Sequence, residues 1–124
     1  MNVYFDNAAT TPPRKEVISA ISKVMEESFG NPSSTHSFGR TAKTYVETSR
    51  KNIAQLINAA PQEIIFTSGG TESDNMILHC AVKDLGVQRI ISSRLEHHAV
   101  LHALDALEQL FQIKIDFVQT DENG

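Results

Sequence analysis

The sequence has little with which to cross-link itself, cross a bilayer or grip a polyanion. Cys80 is its one cysteine in 124 residues, which excludes an internal disulfide framework and fits a reducing compartment, with the cytoplasm as the expected localisation. No apolar run approaches the roughly 20 residues that span a membrane, so no membrane partner is expected. A net charge of −4, with the 11 Lys and Arg scattered, removes the electrostatic case for nucleic acid. The opening MNVYFDNAATTPP has no basic stretch followed by an apolar core, so a secretory signal is not expected.

What is present reads as one ordinary soluble α/β domain. Forty per cent hydrophobic and 21 per cent charged residues are normal for a globular chain of this length. VYFDN is short and β-prone, and Pro12-Pro13 ends it. Val17, Ile18, Ile21, Val24 and Met25 recur at helical spacing over Arg14 to Ser28, with Gly30 as a stop. GNPSSTHSFG, Gly30 to Gly39, is dense in turn formers and predicts an ordered loop. A helix over Arg40 to Asn58 follows, with an apolar stripe that includes Ala42, Tyr45, Val46, Ile53, Leu56 and Ile57.

EIIFT, Glu63 to Thr67, predicts a buried strand by its β-branched and aromatic content. Then come a helix over Thr71 to Leu85, a strand at RIISS (Arg89 to Ser93), a helix over His98 to Phe111 and a strand at KIDFV (Lys114 to Val118). This alternation predicts a mainly parallel sheet with flanking helices. DENG, Asp121 to Gly124, is a turn signal after a strand, and the chain reads as cut within a fold.

FTSGGTESDN, Phe66 to Asn75, joins the first of those strands to a helix. Ligands of open α/β sheets sit at such strand-to-helix loops, where Gly69 and Gly70 permit close approach and the helix start offers amides to an anion. The loop lacks the lysine of a nucleotide P-loop and is not G-x-G-x-x-G. A plain glycine turn with Ser68 or Thr71 as helix cap explains the same residues, and spacing alone leaves both readings open.

EHHAVLH holds three of the five histidines. His98 and His102 are four apart, a possible metal pair, but they share their helix face with Asp105 and Gln109, and a solvated polar face is the better account. If the helix includes His97, that ring projects toward the apolar side, where it could pack on a flat ligand or sit as a hydrogen-bonded core histidine. Cys80, beside Met76, Ile77 and Ala81, reads as core filling rather than a nucleophile.

DNAATT (Asp6 to Thr11), GNPSSTH (Gly30 to His36), FTSGGTESDN and EHHAVL (Glu96 to Leu101), in that order and spacing, resemble the NifS/IscS-type cysteine desulfurases of the class V aminotransferase group over the whole sequence. The resemblance favours the phosphate reading of the glycine loop. It implies part of a pyridoxal-phosphate (PLP) transferase large domain of fold type I, with residues 1–29 belonging to a smaller domain and 30–124 to the cofactor-binding one. It implies pyridoxal 5'-phosphate as cofactor, with Gly70 and Thr71 holding the phosphate and His97 stacking on the ring and shuttling protons. It places Asn7, Ala8, Asn31 and His36 on the substrate side.

L-cysteine would be the substrate, alanine and an enzyme persulfide the products, and an iron–sulfur scaffold or tRNA thiolation the sulfur's destination; a homodimer is expected. None of the six lysines stands in the family's Ser-x-His-Lys setting for the Schiff-base lysine, and Cys80 does not match the sulfur-accepting cysteine. Residues 1–124 are therefore expected to be inactive alone, with EIIFT short of its sheet partner. A selenocysteine lyase or another class V aminotransferase is the near alternative, and a short non-catalytic binding protein the distant one.

Overall fold

The computed structural model describes residues 2–121. In chain order they form α1 (Lys15–Glu27), α2 (Ser37–Leu56), a 3₁₀ turn (Pro61–Glu63), α3 (Gly70–Lys83), β1 (Arg89–Ser93), α4 (His98–Phe111) and β2 (Lys114–Val118). They fall into two compact units, Met1–Ile64 and Ile65–Gly124. Helices with a parallel sheet make the chain α/β, as the alternation predicts. Of the turn expected over Asp121 to Gly124, all but Asp121 lies outside the described residues.

In the second unit, β1 and β2 pair in parallel with Arg89 opposite Lys114 and Ser93 opposite Val118. Parallel neighbours need a crossover, and α4 is that crossover. Its sequence, HAVLHALDALEQLF, is rich in strong helix formers and spaces Ala99, Ala103, Leu104 and Leu107 on one stripe. Leu104 and Leu107 are fully buried. Leu107 clusters with Val82 of α3 and with Ile113, against which Leu78, Ile90 and Ile115 pack. Each buried leucine contributes roughly 1.5–3 kcal/mol of transfer free energy, so this small cluster organises the unit. On the other sheet face Arg89 and Lys114 both pair with Asp116, which holds its carboxyl below the usual range.

In the first unit, the loop before α2 folds back on the helix. A Cβ on Gly39 would lie 2.4 Å from the Ser34 carbonyl oxygen and 2.7 Å from that of Asn31. One on Gly30 would lie 2.5 Å from the Phe38 backbone. The Phe29 and Phe38 rings stack at 5.6 Å across this contact. The helix begins at Ser37, ahead of the expected Arg40, because His36 caps it: its Nδ1 accepts from the Gly39 amide at 3.3 Å. Arg50 of α2 donates to the Ile64 carbonyl and so ties the helix to the segment after the 3₁₀ turn.

Three expectations are corrected. EIIFT is not a strand: Glu63 closes the 3₁₀ turn, and no described strand pairs with the residues after it. Ile65 is 63% exposed, so β-propensity without a ladder partner did not suffice. VYFDN likewise forms no strand and leads into a turn in which the Asp6 carbonyl accepts from the Ala9 and Thr10 amides. Much of the stripe expected on α2 is also open, with Tyr45, Ile53, Leu56 and Ile57 exposed and only Ala42 of that set buried.

Two outcomes follow for stability. Gly39→Ala should lower the free energy of unfolding by about 1–3 kcal/mol, because the neighbours it would strike are backbone oxygens that cannot rotate away. Gln112, the residue that ends α4, has φ 54, so Gln112→Gly should raise stability by up to about 1 kcal/mol. Urea denaturation of the two variants checks both signs.

Candidate anion and ring site at two helix starts

The geometry of the second unit brings two helix N-termini to one end. Near their starts, Asn75 Nδ2 of α3 lies 3.5 Å from the Ala99 carbonyl of α4. Further along, Val82 of α3 packs against Leu107 of α4. The helices therefore run side by side in the same direction. Since α4 follows β1, their starts share the carboxyl end of that strand, the place where open α/β sheets bind ligands.

The glycine loop is fixed by its own side chains. Thr67 Oγ1 and Ser73 Oγ are 2.7 Å apart, and each donates to the Gly69 carbonyl, at 3.2 and 3.1 Å. The Glu72 carboxylate accepts from the Ser68 amide at 2.5 Å. Neither Ser68 nor Thr71 caps the helix: the N-cap position is Gly69, with no side-chain bond. The first intrahelical bond runs from the Ser73 amide to the Gly69 carbonyl, so the amides of Gly70, Thr71 and Glu72 have no intrahelical partner.

Gly69 and Gly70 differ from Gly30 and Gly39 in a decisive respect. A Cβ on either would meet nothing within 4 Å. Packing in the described structure does not demand these two glycines, and their bare faces leave room for something to approach the backbone. Thr71 is exposed beside them, and among the described residues no hydrogen bond engages its hydroxyl. Free amides, a hydroxyl and a positive dipole end make a chemically suitable seat for a phosphate. The loop already holds one anion there, since the Ser68 amide and hydroxyl keep the Glu72 carboxyl below its ordinary 4.5.

His97 does not belong to the helix face. It is the N-cap of α4, its Nδ1 accepting from the Ala99 amide at 3.1 Å. Its ring is exposed rather than directed to the apolar side. The residue that joins the two halves is Asn75, which sequence reasoning quoted without a role. Its Nδ2 donates to the Thr71 carbonyl at 2.8 Å and reaches the Ala99 carbonyl, so Thr71 and His97 are linked through one amide and one turn. A polar residue one turn beyond a glycine loop was the available signal.

The remaining expected site residues lie in the first unit. Asn7 and Ala8 sit in the turn over residues 7–9, where the Asn7 carbonyl accepts from Thr11 Oγ1 at 3.3 Å. Asn31 Oδ1 accepts from the Ser33 amide at 2.9 Å, and its carbonyl accepts from Ser34, so Asn31 shapes the loop that His36 closes. Cys80, expected in the core, is exposed, and the Asp84 carboxylate one turn on raises its thiol pKa. It is thus neither core filling nor an activated nucleophile.

An α/β unit that presents a glycine loop and a capping histidine at paired helix starts has the form of a phosphate-cofactor domain. The chain belongs to the aminotransferase class-V family, whose model matches residues 3–124. It is 48% identical over 124 residues to cysteine desulfurase IscS of Dictyoglomus turgidum, covering 98% of this chain and 31% of that protein. It is 38% identical over 130 residues to selenocysteine lyase of Xenopus laevis, covering 94% of this chain and 30% of that one. Among solved structures, a NifS-like protein superposes with a TM-score of 0.88 at 36% identity, covering 98% of this chain and 34% of that chain. The chain thus spans about a third of the length of the curated relatives it matches.

The Glu72 contact carries a pH signature. Its folded pKa is depressed, so its contribution to stability is fully present above pH 4.5 and is lost as pH falls through the lower folded value. Glu72→Gln should therefore melt below the parent at neutral pH, and the gap should close in acid. A gap constant from pH 7 to below the carboxylate range would contradict the assignment.

Proposed function

We propose that this chain forms the phosphate- and ring-contacting part of a pyridoxal 5'-phosphate-dependent cysteine desulfurase, which releases L-alanine from L-cysteine and passes the sulfur as a persulfide to an acceptor protein such as an iron–sulfur scaffold. The observation that supports it best is the pair of helix starts at the carboxyl end of β1, one carrying open amides beside Gly70 and Thr71, the other capped by His97. Family membership and the relatives named desulfurases support the activity.

The bound cofactor would supply an electron sink for bonds broken at the substrate. The chain's own residues would do the rest of this half-site's work. The amides of Gly70 and Thr71 and the Thr71 hydroxyl would hold the phosphate, charge-assisted and aligned with the α3 dipole. His97 would lie against the ring with its Nδ1 engaged by the Ala99 amide, leaving Nε2 to hold or move a proton. Asn7, Ala8, Asn31 and His36 would line the substrate side.

The proposal includes a homodimer in the cytoplasm and no turnover by residues 1–124 alone, because none of their six lysines stands in a Ser-x-His-Lys setting. A selenocysteine lyase is the second reading, favoured by the Xenopus relative.

The test is alanine release by the intact protein, saturated with pyridoxal 5'-phosphate, from L-cysteine and from L-selenocysteine. Release from cysteine supports the desulfurase; release from selenocysteine alone selects the second reading; release from neither sinks both. Thr71→Ala should raise the cofactor concentration for half-saturation by about tenfold or more, since a hydrogen bond to a charged group contributes about 1.5–3 kcal/mol. Gly70→Ala should also weaken loading while melting no lower than the parent, because its Cβ enters open space in the protein alone.

A further inference from the structure

On α4, one residue beyond His97, stand two histidines for which the cofactor reading has no use. His98 and His102 lie one turn apart and are both exposed, with ring centres 5.7 Å apart and planes inclined by 27°. Among the described residues no hydrogen bond engages either ring nitrogen. A His-x-x-x-His pair on a helix directs both imidazoles to one side, and the helix backbone fixes their separation.

That separation matches a chelate. With a metal–nitrogen bond of roughly 2.0–2.1 Å, each ring centre lies about 3.2 Å from the ion, and tetrahedral ligands then have ring centres about 5.2 Å apart. The observed pair is within about half an ångström of this, and rotation about the side-chain bonds would have to turn one nitrogen of each ring toward the ion. We propose that His98 and His102 form a two-histidine surface site for a divalent first-row cation of the imidazole-binding class, such as Ni²⁺, Cu²⁺ or Zn²⁺. Among the described residues no third His, Cys, Asp or Glu completes the set, so water fills the other positions and the ion exchanges freely.

Two terms compete at this site. The α4 dipole opposes a cation near its start, while inner-sphere bonds from two neutral imidazoles favour it and act at much shorter range. A solvated polar face, the account the sequence favours, describes the same residues without the ion, and metal titration decides between the two. Hard cations such as Mg²⁺ and Ca²⁺ require oxygen ligands and should not bind. This inference does not rest on the cofactor reading.

The test is titration of the purified protein with Ni²⁺ by isothermal calorimetry, beside His98→Gln, His102→Gln and Cys80→Ser. Saturable binding should weaken at least about tenfold in either histidine variant, since even outer-shell changes at metal sites cost 10–100-fold. Cys80→Ser should bind as the parent does. Paramagnetic broadening by Cu²⁺ in the unsubstituted protein should centre on the two imidazoles, a readout independent of how any variant folds. Absence of binding, retention in both histidine variants, loss in Cys80→Ser, or broadening centred elsewhere would each overturn the site.

Discussion

The contact between Leu107 of α4 and Val82 of α3 is the interaction on which the second unit turns. It lies beside the β1–β2 pair, with Ile113, Ile90 and Ile115 around it. Since α4 is itself the crossover between two parallel strands, its direction is set by the sheet, and packing along its length sets the direction of α3. A buried leucine far from any reactive group thereby decides that two helix starts face the same way. Each start carries about half a positive charge, and both stand at the same end of the unit.

That end of the unit is built to be rigid yet unfinished. The hydroxyls of Thr67 and Ser73 and the carboxylate of Glu72 secure the loop, but they use the Gly69 carbonyl and the Ser68 amide, not the amides that follow. The donors from Gly70 onward are left pointing outward from a fixed frame. Such preorganisation is what lets an anion site bind without first ordering its own loop. The glycines divide along the same line. Gly30 and Gly39 are filled against their own backbone, so they serve folding; Gly69 and Gly70 face open space, and nothing in the described packing requires them.

Much of this was legible in advance, and where it was not, the reason is physical. β1, α4 and β2 follow from local patterning, because their apolar residues meet one another within a continuous stretch of chain. EIIFT failed for the opposite reason: a strand is defined by its partner, and none of the described strands supplies one, the shortfall that the family resemblance implies and that local β-propensity does not register. The helix cap at His97 was missed because imidazole is not among the usual capping groups, although its Nδ1 can accept as a carboxylate does. Cys80 was misplaced because apolar neighbours in sequence do not guarantee a neighbouring element to bury them.

By itself, then, the sequence determined the family resemblance, the element order and the chemistry available at each position, since all three depend on residue types at fixed spacing. Tertiary structure alone decided which of those positions meet. Thr71 and His97 are 26 residues apart, and only the packing of α3 along α4, with Asn75 between their first turns, sets them at one end of the unit. Spacing along a chain fixes a face; the burial of apolar surface between elements fixes which faces and which ends come together.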